Sequence, residues 1–156
     1  MTRTRAFWWG YVAAVTLYAG AAAAFHYGPG IEAKRFPVRV DQTVHDIERD
    51  GAGLCWTWSS LKVRDRRSDD MDAYLWVRGQ RYVVAIHRAS DGEPWSQAGA
   101  LPVGGPHHLR YCTTLPPSVR PADDLRLEQV AWFPGLLGLW RVPLRIPDVV
   151  SPGSQS

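Results

Sequence analysis

Few residues in this chain have the types and spacings that chemistry requires. It has no G-x-S-x-G elbow, no phosphate-binding loop, no H-E-x-x-H helix and no C-x-x-C pair. Asp69, Asp70 and Asp72 bring three carboxylates together, but the glycine and distal glutamate of a calcium-binding EF-hand loop are missing. A solvated acidic turn is expected there. His107 and His108 offer two imidazoles, yet adjacent residues of a strand point to opposite faces and do not share an ion. Cys55 has no neighbouring base to lower its pKa and make it a nucleophile. No catalytic residue, no metal ligand and no cofactor is therefore assigned, and a non-enzymatic protein is expected.

What stands out is aromatic and cationic. Eight tryptophans is an excess for 156 residues. Trp8 and Trp9 belong to an N-terminal apolar stretch. Trp56, Trp58, Trp76, Trp132 and Trp140 lie on strand-like segments and are expected in the core. Trp95 follows Pro94 in a Gly/Pro-rich loop and has two readings. It is either an exposed ring at a binding surface or a ring folded back over one end of the domain. Trp95 with Arg64, Arg66 and Arg67 forms the candidate binding surface, for an envelope protein or a glycan. Lys62 and these three arginines run directly into Asp69, Asp70 and Asp72, so the run also reads as a solvated turn of mixed charge.

The formal net charge is +3. Arg3 and Arg5 precede the apolar stretch, which leaves 16 basic residues against 15 acidic ones in the rest of the chain. A near-neutral balance without a basic stripe argues against a nucleic-acid partner.

The elements that must position these residues begin with residues 6–25, AFWWGYVAAVTLYAGAAAAF. These 20 residues carry no charge. As a helix they span about 30 Å, the thickness of a bilayer core. Aromatic residues flank both ends, as interfacial anchors do. Gly28-Pro29-Gly30 is expected to end this helix. The reading is an N-terminal transmembrane anchor over 1–27, followed by a linker over 28–35. The alternative is a signal peptide, since a short basic start and small residues at Ala21–Ala24 also describe one. Long C-terminal domains translocate largely regardless of flanking charge. The expectation is a bacterial inner-membrane protein with a cytoplasmic N-terminus and a periplasmic domain.

Cys55 and Cys112 are the only cysteines. In an exported domain two such residues pair, whereas in a cytosolic one they remain buried thiols. A disulfide is expected.

From Phe36 the pattern changes to period two. Leu54–Trp58 alternates, and Ser59-Ser60 suggests a bulge that moves the apolar parity to Leu61 and Val63. Ala73–Val77 is apolar on both faces, as in a central strand. Gly79-Gln80 then predicts a type II′ hairpin into Tyr82–Ile86. Residues 89–106 form a long loop with room for a short edge strand. Strand patterns resume at His108–Thr113 and Leu125–Val130. Trp140, Val142, Leu144 and Ile146 share a parity opposite to Pro143, which marks an edge strand. The fold class is all-β, an immunoglobulin-like β-sandwich in the loose sense, over 36–148, with a disordered tail over 149–156.

The N-terminal span, Phe36-Pro37-Val38, Glu48-Arg49-Asp50-Gly51 and Lys62-Val63-Arg64-Asp65-Arg66 together carry a resemblance over the first half of the chain. The layout resembles small single-pass envelope proteins of unknown function found in bacteriophages and prophages of Gram-negative bacteria. The resemblance implies a location and a fold, and no activity. The leading expectation is a membrane-anchored periplasmic module that contacts another envelope component. The alternatives are a secreted carbohydrate- or peptidoglycan-binding domain released by signal cleavage, a phage protein acting at the host envelope, and an enzyme assembled from distant strands.

Overall fold

The computed structural model describes residues 2–95 and 102–153. Helix α1 (Thr2–Arg35) leads into eight strands: β1 (Arg39–Asp50), β2 (Gly53–Lys62), β3 (Asp70–Val77), β4 (Gln80–Val83), β5 (Ile86–Arg88), β6 (Pro106–Thr114), β7 (Leu125–Pro134) and β8 (Arg141–Ser151). They form two antiparallel four-stranded sheets, ordered β1-β2-β6-β5 and β4-β3-β7-β8. Leu54, Trp56 and Trp58 of β2 and Tyr111 of β6 meet Leu75, Val77, Leu125, Leu127 and Phe133 of the other sheet in one buried cluster. β8 is an edge strand, as Pro143 requires, and β3 is an inner one.

α1 does not stop at Gly28-Pro29-Gly30. It continues through residues 28–35, where a linker was expected, with Pro29 inside it. A mid-helix proline removes one backbone hydrogen bond. Tertiary contacts compensate, because the last turns of α1 dock on the β-sheet domain through Phe25, Gly28 and Glu32. By length and composition α1 is the one helix among the described residues able to cross a membrane.

Several local expectations need correction. β2 pairs with β6 without a register shift, so Ser59-Ser60 is not a bulge. The irregularities lie on the partner strand, between Val40 and Thr43 and between His45 and Glu48. Asp41 and Asp46 take positive φ there, which a short polar side chain tolerates. Core parity along β2 therefore stays even, and Lys62 is buried at 2% exposure with its Nζ on Asp65 Oδ1, 2.9 Å away. The β3–β4 hairpin is a two-residue turn, but at Arg78-Gly79, because Val77 pairs with Gln80. Both turn residues have positive φ, which is type I′ and not II′.

The predicted single strand Tyr82–Ile86 is split. β4 ends at Val83 in one sheet and β5 starts at Ile86 in the other. In the long loop, Pro94 forms an isolated bridge with His87. The part of that loop at 96–101 lies outside the described residues. β8 runs to Ser151, three residues into the expected tail, and Gly153 N–H donates to Asp124 Oδ1 at 2.8 Å. The remaining tail, 154–156, lies outside the described residues.

Cys55 and Cys112 form a disulfide. They face each other across paired strands β2 and β6, with Cα atoms 4.1 Å apart. An immunoglobulin-type bridge would join the two sheets. This one ties neighbouring strands on the outer face of a single sheet, away from the core. The apolar helix and the disulfide together are marks of a membrane-anchored or exported protein.

Candidate functional site: the helix–sheet junction

The arginines proposed as a binding surface separate in space. Arg67 is exposed. Arg64 and Arg66, two positions apart in the β2–β3 connection, both reach the end of α1. There they meet Glu32, a residue that sequence pattern did not single out. Its Oε1 lies 3.6 Å from Arg64 and 3.9 Å from Arg66. Its Oε2 accepts two hydrogen bonds at 2.9 Å, from the Leu136 backbone N–H and the Trp140 indole N–H. Arg64 also donates to Phe36 O at 2.8 Å, and Arg66 donates to Gly135 O at 2.8 Å and to Pro134 O. One buried carboxylate thus joins three segments: the helix end, the β2–β3 connection and the β7–β8 loop.

Trp140 is the apolar half of this junction, not a core residue of a strand. Its ring meets Phe25 edge to face, with centroids 6.1 Å apart. It lies between two glycines. A Cβ on Gly28 would come within 3.1 Å of the ring, and one on Gly135 within 2.3 Å. Gly135 must lack a side chain for ring and loop to close together, and at Gly28 a side chain would make the ring shift by a few tenths of an ångström. Gly28 therefore permits close approach where the sequence suggested a helix stop.

The loop from Gly135 to Trp140 closes through Gly135 N–H donating to Trp140 O at 2.8 Å. It exposes Leu136 at 52%, Leu137 at 87% and Leu139 at 52%. Leu137 has φ +52°, which costs a bulky residue about 1–2 kcal/mol. Between the loop and α1 runs a cleft of about 550 Å³, lined by Ala23, Ala24, Tyr27, Ile31, Leu136 and Trp140, with Glu32 and Arg64 at its polar end.

Trp95 is not an exposed ligand-binding ring. It is buried at 8% exposure, with its centroid 4.9 Å from Trp58 and 4.6 Å from Tyr111. It takes the second of its two readings and covers one end of the core. Trp76 and Trp132 lie on outward-facing positions. Arg141 sits 5.5 Å over the Trp132 ring, whose N–H donates to Asp72 at 2.7 Å. The Lys62–Arg67 run is likewise not a solvated turn throughout, since Lys62 is buried and Arg64 and Arg66 are committed to Glu32.

A second polar cluster was also missed. On the outer face of the β1–β2–β6 sheet, His45 Nε2 and His108 Nδ1 each lie 2.7 Å from Ser59 Oγ, and His45 Nδ1 lies 2.8 Å from Asp46. The Asp–His–Ser order is that of a nucleophilic triad. Two features set it apart from a catalytic site. The group lies on the outer face of the sheet, with the His45 and Asp46 side chains 45% and 62% exposed. Ser59 Oγ is also held from both sides by imidazoles. The signal that would have found it is the register, in which Ser59 faces His108. His107 instead points inward and meets Pro102 O at 2.8 Å. Asp70 pairs with Arg141 and Asp72 with Trp132, so the acidic run is dispersed along β3. Among the described residues no group of three His, Cys, Asp or Glu side chains is arranged to hold a metal.

The junction is a mechanical site: it fixes a β-sheet domain to an apolar helix through one carboxylate, two guanidinium groups and one indole. The chain matches no protein-family model and no curated protein.

Proposed function

We propose that this chain is a single-pass, membrane-anchored and non-enzymatic module, whose immunoglobulin-like β-sandwich faces the periplasm and contacts another envelope component. The observation that carries the reading is the continuation of α1 to Arg35 and its docking through Glu32. A segment destined for cleavage has no need of such a mount. The disulfide supports an oxidising compartment. The strand order supports the immunoglobulin-like assignment, since β1-β2-β6-β5 and β4-β3-β7-β8 correspond to A-B-E-D and C′-C-F-G. The resemblance to phage and prophage envelope proteins agrees with this location. The secreted glycan-binding alternative leaned on an exposed Trp95 and loses that support with the ring buried.

The test is the intact mass of protein recovered from bacterial membranes, with thiol alkylation before and after reduction, combined with protease accessibility. A full-length mass, cysteines alkylated only after reduction and protease access from the periplasmic side are expected. A mass beginning near Phe25 would overturn the anchor. Thiols labelled without reduction, or a domain cut only from the cytoplasmic side, would overturn the periplasmic assignment.

A further inference from the structure

We propose that the β7–β8 loop and the cleft beside it form a second membrane-contacting surface. The loop enters the headgroup–acyl boundary of the bilayer that α1 spans, and one phospholipid acyl chain lies along the cleft. This inference rests on the membrane-anchored reading above.

Position carries the argument first. The cleft is lined by Ala23 and Ala24, which belong to the uncharged stretch 6–25, as well as by Leu136 and Trp140. The loop therefore stands abreast of the last turn of the apolar helix. At 1.5 Å per residue, Ala23 lies only about 3 Å deeper than Phe25. Whatever covers the loop is at that depth, at the edge of the hydrocarbon.

Chemistry agrees with position. Leu136, Leu137 and Leu139 are all exposed on six residues of loop, and Leu137 holds a left-handed conformation that presents it outward. A soluble domain rarely exposes such a tip without a partner. Trp140 keeps its indole N–H on Glu32 and its ring toward Phe25, the amphipathic placement of an interfacial tryptophan. Cations lie on the solvent side of the loop. Lys34 and Arg35 are exposed in the last helical turn, and Arg64 closes the polar end of the cleft. An apolar trough continuous with a spanning helix, closed at its polar end by the Arg64–Glu32 pair, fits an acyl chain below a lipid headgroup.

The test uses the full chain with its disulfide intact, so that one introduced cysteine takes the label. Leu137→Cys carrying an environment-sensitive NBD fluorophore is reconstituted in vesicles of phosphatidylcholine and phosphatidylglycerol, with and without lipid bearing a nitroxide near the headgroup. Leu139→Cys is the second loop variant. Val15→Cys reports on the helix. Val150→Cys is the control, an exposed apolar residue (56%) near the opposite end of β8 from the loop. Expected are blue-shifted emission and strong nitroxide quenching at Leu137 and Leu139, against water-like, unquenched emission at Val150. Water-like, unquenched loop labels beside a helix label that blue-shifts in the bilayer would overturn the loop proposal and leave the anchor standing. A water-like helix label would remove the anchor and this inference with it. Blue-shifted loop labels that lipid nitroxides do not quench would show protein covering the loop, a second copy included, and would also overturn it.

Discussion

Glu32→Ala removes the only carboxylate at the junction and should release the β-sheet domain from its helix without unfolding it. Two good hydrogen bonds from uncharged donors to a carboxylate are lost, and water entering the opened junction replaces part of each. Arg64 and Arg66 lose their counter-charge. They lie beyond ordinary hydrogen-bond distance of Glu32 and are 33% and 23% exposed, so water can recover part of that loss. Breaking a fully buried pair costs about 3–5 kcal/mol, and partial exposure lowers the figure here to about 2–4 kcal/mol. At about 1.4 kcal/mol per tenfold, the docked-to-undocked ratio falls roughly 30- to 1,000-fold. The assay is a spin-label distance between Tyr18→Cys on the helix and Val150→Cys on β8, measured in lipid nanodiscs. The parent protein should give one narrow distribution and Glu32→Ala a broad one. Glu32→Gln, which keeps an acceptor for Leu136 and Trp140, should fall between. A narrow, unshifted distribution in Glu32→Ala would refute the account of the junction.

Replacing both cysteines by alanine should lower unfolding stability by about 2–4 kcal/mol and leave the fold intact, because the bridge lies outside the core. Guanidinium unfolding followed by circular dichroism checks this, and a chain unfolded in buffer would contradict it. Trp95→Ala should cost about 3–5 kcal/mol in the same assay, since the ring packs on Trp58 and Tyr111. A near-neutral result would mean that the ring is not a core residue. Gln129→Met should raise stability by about 1–3 kcal/mol, because the buried Gln129 amide has no hydrogen-bond partner among the described residues. A loss of stability would point to an unseen partner. The hydrogen bond from Lys62 holds the Asp65 carboxyl below its usual range. Whatever stability this contact gives is present above the ordinary aspartate value and is lost as pH falls through the lowered one. A carboxyl NMR titration should show the depressed midpoint, and Lys62→Met should restore it to the usual range.

Most strands were legible because side-chain alternation is local, but β1, whose alternation two irregularities interrupt, was not singled out. Trp56 and Trp58 on one face, the inner strand β3 and the edge strand containing Pro143 all follow from period two and proline chemistry. Whatever depended on pairing across the chain was not. The bulges lie on β1 because of its register with β2, and no feature of Ser59-Ser60 alone reveals that. The Gly28-Pro29-Gly30 break was overridden by docking on Trp140, more than 100 residues away, whose ring packs on Gly28, a contact that uses this glycine for close approach rather than for a turn. Glu32 read as one charge among several near the helix end. Only the fold brings Leu136, Trp140, Arg64 and Arg66 around it. Trp95 was left with two readings because ring burial depends on how a loop returns, and a loop carries no periodicity. The cysteine pairing was anticipated from composition, but its position within one sheet was not.

The uninterrupted helix through residues 28–35 has a geometric consequence for recognition. An eight-residue flexible tether would let the domain wander over about 16 Å and turn freely. Here the domain is geared to α1, and each helical residue advances about 100° around the axis. Whatever packs against one stripe of α1 therefore selects the compass bearing of both sheets beyond it. A change of that stripe by a single residue would swing the disulfide-bearing face through more than a quarter turn. On the proposed anchoring, the choice of a partner outside the membrane would in this way be tied to azimuth inside it.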